Sequence, residues 1–287
     1  MAEYKIFTDS CADLPPELYK KHDIGVVSLH VNIDGKDYLG KPDYSMEEFY
    51  NRLRKGAMAT TSQVTESSFR EGFEPYLKSG VDILYLAFSS GLSATADGGK
   101  LIAQTLMEEY PGRTVLVIDT LCASLGQGLL VLKCCEQKAK GLSLQGVADY
   151  ALALMPNLVH IVFADDLFHL KRGGRISAAA AVAGSLLGVK PLIHMDMEGK
   201  LIPIGKERGK ERAMNKLLDI MGERIPGFDN PYITICHADA FTDAQYIAKE
   251  AKRRFNIKTS IIYSIGPVIG AHTGPGTVAF FFLGDHR

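Results

Sequence analysis

Hydroxyl side chains recur in the loops between the apolar runs of this sequence. They are Ser10, Ser89, Ser90, Ser93, Thr120 and Ser124, which follow apolar runs, and Thr60, Thr61 and Ser62, which precede a helix. In an open parallel sheet, ligands bind outside the carboxyl ends of the strands, where loops lead into helix N-termini. Several hydroxyls at that edge, together with backbone amides at a helix start, would bind an anion. Each hydroxyl could equally be an ordinary helix N-cap, worth about 1 kcal/mol.

The kind of anion is restricted by the absence of Lys and Arg from these loops. Its charge would be met by dipoles, which suits a carboxylate better than a polyphosphate. The patterns G-x-x-x-x-G-K-[ST], G-x-G-x-x-G after a strand and G-x-S-x-G are all missing. Only "CASLG", residues 122–126, partly matches the last of them. A carbohydrate or phosphate sensor is disfavoured because the loops lack Lys, Arg and Trp.

His272 stands within "GPVIGAHTGPG", residues 266–276. The glycines and prolines of this segment predict a rigid loop whose backbone approaches another group closely. A neutral imidazole held there can donate to a carboxylate, and near its usual pKa of about 6.5 it can also add charge. The alternative is an exposed histidine in a surface turn.

Apolar runs and turn residues predict the elements that position these groups. Buried strands are predicted at 5–8, 83–88, 114–118 and 159–164. Their alternation with helices indicates right-handed βαβ units and a parallel sheet. An excursion at about 26–42, with the turn pair Asp34-Gly35, predicts a small β arm.

The second half of the chain has a different pattern. Its predicted elements are a small-residue helix at 178–188, a hairpin around Glu198-Gly199, helices at 210–224 and 243–255, and strands at 232–236, 261–265 and 278–283. A chain of 287 residues suits two cores better than one. The predicted fold class is α/β with two domains. The first is a Rossmann-like parallel-sheet domain over 1–160 that carries the β arm, and the second is an α+β domain over 161–287.

Composition excludes several classes of protein. The 32 basic and 33 acidic side chains leave a formal charge of −1, so no global field attracts nucleic acid or an anionic membrane. Five cysteines, an odd number, argue for a reducing compartment. Cys134 and Cys135 are adjacent and point about 100° apart on a helix, so no metal site is predicted. No signal peptide or uncharged apolar run of about 18 residues is seen, and a cytoplasmic location is expected.

Seven segments, in order and spacing, resemble the DegV family. They are "TDSCADLP", "TTSQ", "SSGLSAT", "DTLCASLGQG", "LKRGGRIS", "GVKPLI…GKLIPIGKERG" and "GPVIGAHTGPG", and they extend from residue 5 to the C-terminus. The resemblance implies a two-domain α/β protein that binds one long-chain fatty acid, such as palmitate, stearate or oleate, in a tunnel between the domains. No cofactor and no catalysis by the chain alone are implied.

The resemblance also implies partners. Members of the family that serve as binding subunits of a fatty acid kinase present the carboxylate to a separate ATP-dependent subunit, a DhaK/DhaL-like protein, which forms acyl phosphate. This places the chain in phospholipid metabolism and allows a transient contact with a membrane.

Site residues follow by motif from the same resemblance. The implied carboxylate ligands are Thr61 and Ser62 of "TTSQ", Ser93 of "SSGLSAT", and His272 and Thr273 of "GAHTGPG". Arg172 and Arg175 of "LKRGGRIS" would lie by the head group or on a kinase-docking face, and we assign Arg172 to the ligand and Arg175 to docking. Salt bridges to Asp165 and Asp166 are the alternative for both. The family pattern has glycine and often an aromatic residue where this chain has Ala94 and Ala96, which alters the expected cradle behind Ser93.

Two further alternatives remain open at the level of sequence. Candidate tunnel linings are 178–187, Leu192, Ile193 and 280–282, and such stretches also suit an ordinary core. A different class of function is a serine esterase or acyltransferase, with Ser93 as nucleophile and His272 as base. That arrangement needs a third group to orient the imidazole.

Overall fold

The computed structural model describes residues 3–165, 167–177 and 188–287. The strands in these ranges are β1 (Tyr4–Asp9), β2 (Gly25–Val27), β3 (His30–Ile33), β4 (Lys36–Leu39), β5 (Ala59–Ser62), β6 (Asp82–Ala87), β7 (Val115–Asp119), β8 (Leu158–Phe163), β9 (Val189–Met195), β10 (Leu201–Arg208), β11 (Tyr232–His237), β12 (Thr259–Ser264) and β13 (Val278–Leu283). The helices are α1 (Pro16–Lys21), α2 (Met46–Arg54), α3 (Glu66–Lys78), α4 (Thr95–Glu109), α5 (Ser124–Ala139), α6 (Leu144–Leu154), α7 (Phe168–Arg172), α8 (Lys210–Arg224), α9 (Phe241–Phe255) and α10 (Pro267–Thr273). None of these helices is long and apolar enough to span a bilayer.

The first sheet is parallel throughout, with the strand order β2-β1-β6-β7. Strands β1 and β6 are buried along their whole length, as expected for a parallel sheet covered on both faces. The apolar runs at 5–8, 83–88 and 114–118, which predicted strands of a parallel sheet, correspond to β1, β6 and β7. Because parallel strands end at one edge, the loops after β1, β6 and β7 lie together there.

A second, six-stranded sheet has the order β10-β9-β8-β13-β11-β12 and is mixed, with only β11 and β12 parallel. The two sheets confirm the predicted α/β class. The prediction that β8 continues the parallel series is wrong, since β8 pairs antiparallel with both β13 and β9. All six residues of β8 are buried, and such a run looks the same in either kind of sheet.

The predicted β arm is a three-stranded antiparallel sheet, β4-β3-β5, with its hairpin turn at Asp34 and Gly35. Its boundaries differ from the prediction. Val26 and Val27 belong to β2 in the first sheet. The hydroxyl-rich segment Ala59–Ser62, predicted as a loop, is strand β5, because β-branched threonines suit a strand at the edge of a sheet.

The segment around His272 is also different from its prediction. The rigid loop proves to be a helix, α10, which begins with Pro267, where proline lacks only an amide that the helix would not use. Gly274, with φ of 74°, ends it. The hairpin β9–β10 around Glu198-Gly199 is confirmed. The predicted small-residue helix lies outside the described residues except for Gly188.

Candidate functional site

A cavity lies between the two large sheets, bordered by β5 and α10. About 800 Å³ of it, its mouth included, is not filled by protein atoms. Its walls are Leu29, Thr61, Ser62, Gln63, Phe88, Leu92, Ser93, Ala123, Ser124, His160, Val162, Leu170, Arg175, Met195, Leu201, Cys236, Ile265, Val268, Ile269, His272, Thr273, Thr277, Ala279 and Phe281.

Part of the cavity wall follows β13. Thr277, Ala279 and Phe281 alternate along this chain segment, so their side chains share one face. The four residue steps from Thr277 to Phe281 cover about 14 Å at about 3.4 Å each. At one end, Thr277 Oγ1 donates to the carbonyl of Thr273 at the end of α10 (2.9 Å). At the other end, the His160 ring packs edge-on against Phe281 with centroids 5.0 Å apart.

The end near α10 is polar and joins the two halves of the chain. Thr61 Oγ1 and His272 Nε2 are 2.7 Å apart, although 211 residues separate them in sequence. Strand β5 presents Thr61 and the last turn of α10 presents His272. His272 Nδ1 is buried with no hydrogen-bond partner among the described residues. A Cβ on Gly173 would lie 2.2 Å from that nitrogen, so the site requires glycine there.

Ser93 lies on the same wall, just before α4. Its Oγ is 3.0 Å from Thr95 Oγ1 and accepts from the Thr95 amide at 3.3 Å. Ala94, the N-cap residue of α4, offers no capping side chain. The positive end of a 15-residue helix therefore meets the cavity beside a hydroxyl, which favours a bound anion.

Arg172 was assigned to the ligand and Arg175 to docking, and of the two only Arg175 is in the cavity wall. Arg175 lines the cavity, where its Nε donates to the carbonyl of Leu92 (3.0 Å) and its Nη1 to that of Gly173. Arg172 does not line it and contacts Met58 Sδ and His169 Nδ1. The guanidinium that reaches the cavity is thus that of Arg175.

Among the described residues, neither arginine forms the salt bridge to Asp165 that the alternative interpretation predicts. Asp165 pairs instead with Lys190, at 2.7 Å from Nζ. Asp166 lies outside the described residues.

His272 is a neutral group at pH 7. Burial is the main cause that lowers its pKa to about 4, and the nearby positive charges of Arg175 and Arg172 act in the same direction. The imidazole can therefore exchange hydrogen bonds with Thr61 and with a ligand, but it adds no charge. Positive charge at this end of the cavity comes from Arg175 and from the N-terminus of α4.

We expect His272→Gln to remove part of the acid sensitivity of the fold. The folded pKa of His272 lies below its unfolded value of about 6.5, so the folded state binds fewer protons between these values. The stability that depends on a neutral His272 is complete above about pH 6.5 and is lost as pH falls toward 4, by up to about 3 kcal/mol. Urea unfolding at pH 7 and pH 4.5 measures this loss.

The control is His286→Gln, which replaces an exposed histidine. It removes one imidazole outside the cavity wall, so its effect is subtracted from that of His272→Gln. A His272→Gln variant with the same slope as wild type would contradict the assigned protonation state.

The structure does not assemble the esterase site. Its catalytic pair would need Ser93 to donate to His272, but Ser93 bonds to Thr95, and His272 Nε2 bonds to Thr61. The orienting group is also missing, since His272 Nδ1 has no partner in the described part of the chain.

Several predicted residues have structural roles instead. Ser10 Oγ accepts from the Leu29 amide, Ser89 Oγ donates to the Gly199 carbonyl, and Thr120 Oγ1 donates to the Ala87 carbonyl. Of the candidate linings within the described residues, Leu192, Ile193, Phe280 and Phe282 belong to the core, and only Phe281 lines the cavity. Residues 178–187 lie outside the described residues.

Sequence reasoning missed His160 and Asp13. His160 is fully buried in β8, accepts from the Ala123 amide at Nε2 (3.4 Å) and has its pKa held well below the usual range by burial. Its signal was a lone polar residue in the apolar run "LVHIVF". Asp13 lies in the turn after β1. Acidic residues are common in turns, so its type and position did not mark it as functional.

Comparison with known proteins agrees with this architecture. Residues 3–285 match the family described as "Uncharacterised protein, DegV family". A DegV domain-containing protein of Clostridium perfringens is 41% identical, over 100% of this chain and 99% of that protein. The structure of a fatty acid-binding DegV family protein from Thermus thermophilus superposes with a TM-score of 0.88 at 31% identity. The superposition covers 99% of this chain and 100% of that protein. A stearic acid-binding protein from Eubacterium ventriosum gives a TM-score of 0.90 at 26% identity, covering 98% of each chain.

A parallel sheet, a mixed sheet and an apolar cavity between them define a two-domain α/β protein. The match extends over almost the whole length, and the relatives are of the same length. The chain belongs to the DegV family.

Proposed function

We propose that this protein binds one long-chain fatty acid in the cavity, with the carboxylate at the α10 end and the chain running toward Phe281. The observation that carries the proposal is the cavity itself, whose wall is mainly apolar, while Thr61, the His272 imidazole and the Arg175 guanidinium lie at its α10 end. The relatives named for fatty acid binding support it.

The two ends of such a ligand contribute differently. Burying about twelve methylenes at about 0.8 kcal/mol each gives on the order of 10 kcal/mol. Hydrogen bonds to the carboxylate, about 1.5–3 kcal/mol apiece, mostly offset its desolvation. The chain therefore sets affinity, and the head group sets orientation.

The polar end suits a carboxylate through three kinds of donor. Thr61, Ser62, Ser93 and Thr273 supply hydroxyls, and His272 supplies a neutral imidazole; all five line the cavity. Arg175 supplies the charge, in the role that the sequence had assigned to Arg172. Arg172, at the surface beside exposed Phe168 and Met58, is the better candidate for contact with a partner.

Organic extraction of the purified protein tests the proposal directly. We expect about one equivalent of palmitate, stearate or oleate per chain, identified by mass spectrometry. Protein stripped of lipid should bind oleate again in equilibrium dialysis. A protein that releases no fatty acid and, once stripped, binds none would end the proposal.

We further propose that the protein is not catalytic alone and presents the bound carboxylate to a cytoplasmic, ATP-dependent DhaK/DhaL-like kinase subunit. Ser93→Ala should then slow acyl-phosphate formation more than it weakens fatty acid retention, because Ser93 orients the head group. Kinase turnover and equilibrium dialysis measure the two effects.

The matched control is Ser90→Ala, an exposed serine outside the cavity wall, which should change neither quantity. Equal losses of turnover and retention in Ser93→Ala, or unchanged turnover, would contradict this division of roles.

A further inference from the structure

The carboxyl group of Asp13 is fully buried between parts of the chain that are far apart in sequence. Oδ1 accepts the Gly266 amide at 2.9 Å, and Oδ2 accepts the Ser124 hydroxyl at 2.6 Å. Asp13 itself ends the short 3₁₀ turn after β1 with φ of 49°, a conformation that Asp and Asn tolerate better than most residues. One side chain thus holds together three segments.

One partner of Asp13 lines the cavity, and the other lies next to a lining residue. Ser124 lines it and begins α5, whereas Gly266 lies between two lining residues, Ile265 and Val268, and begins α10. A Cβ on Gly266 would lie 2.4 Å from Asp13 Oδ1, so the contact depends on glycine. Helix α10 then carries His272 to the polar end of the site. The position of the imidazole therefore depends on a bond made one helix length away.

No positive charge balances this carboxyl group within the described residues. The titratable groups that face it are the carboxyl of Asp9, the thiols of Cys11 and Cys236, and the phenols of Tyr19, Tyr50 and Tyr263. Burial is the main cause that raises the pKa of Asp13 to about 7, and the carboxyl group of Asp9 acts in the same direction. The two hydrogen bonds lower the pKa and offset only part of this effect. A buried carboxylate without a cation is unfavourable, and the group keeps its proton until pH exceeds this value.

We propose that Asp13 is a positioning residue that ties the start of α10 to the first domain, and that loss of its proton loosens the cavity and weakens fatty acid binding. The inference rests on the proposed function. Ionisation places a negative charge in a buried site without cations among the described residues, and admitting water between α5 and α10 relieves it. Water at that wall opposes burial of an acyl chain.

The test is the affinity for oleate between pH 6 and pH 8.5, measured by equilibrium dialysis. We expect wild-type affinity to fall about tenfold over this range, and that of Asp13→Asn to change less than twofold. Asparagine can accept the Gly266 amide and donate to Ser124, so the bonds survive without the titration. Oleate ionises in the same way in every sample, so its own ionisation cannot cause a difference between the variants.

Two further variants complete the experiment. Asp149→Asn, at an exposed position on α6, should follow the wild-type profile. Ser124→Ala removes a bond that lowers the pKa of Asp13, so its transition should move to higher pH, and this result does not depend on the folding of Asp13→Asn. A wild-type profile in Asp13→Asn, or an unmoved transition in Ser124→Ala, overturns the inference. Absence of oleate binding by wild type at pH 6 overturns the proposed function and this inference with it.

Discussion

Ala279→Leu should weaken fatty acid binding about 50-fold. Ala279 is buried in β13 midway between Thr277 and Phe281, with its side chain in the cavity wall. Three added carbons would occupy the space of about three methylenes, and at about 0.8 kcal/mol each their exclusion removes about 2.4 kcal/mol. Equilibrium dialysis with stearate and oleate, on protein stripped of lipid, measures the change.

The matched control for this variant is Val278→Leu. Val278 is the preceding residue of β13, but its side chain belongs to the hydrophobic cluster that contains Phe280 and Phe282, away from the cavity. Overpacking there should lower thermal stability and leave affinity within about twofold. If both variants lose affinity equally, the effect is general damage to β13, and the proposed path of the acyl chain is wrong.

Arg175→Met should weaken binding by about ten- to a hundredfold, while Arg172→Met should leave it nearly unchanged. Methionine keeps most of the apolar stem and removes the guanidinium. A charge-assisted bond is worth about 1.5–3 kcal/mol, which corresponds to this range of affinity. Arg175 reaches the cavity and Arg172 does not, so the two variants form a matched pair three residues apart.

The same pair separates binding from docking. Turnover by a kinase partner at saturating fatty acid should fall in Arg172→Met if that residue contacts the partner. An affinity loss in Arg172→Met with none in Arg175→Met would return the arginines to the roles assigned from sequence.

The strands and helices that were predicted correctly are specified by residues close together in the sequence. Apolar runs such as 83–88 and the turn pair Asp34-Gly35 fix elements within a few residues. The errors arose where local signals are ambiguous. A fully buried run like β8 suits either a parallel or an antiparallel sheet, and a segment rich in Gly and Pro can still hold the two turns of α10.

The sequence by itself determined the two-sheet α/β architecture, the family, and the small set of hydroxyl and imidazole side chains that meet at the cavity, because periodicity, turn chemistry and collinear motifs are written along the chain. Only the tertiary structure decided that Thr61 bonds to His272, that Arg175 rather than Arg172 reaches the cavity, and that Asp13 holds the start of α10. Such contacts depend on the path of the backbone between distant segments, and burial at their meeting point sets the protonation of His272 and Asp13.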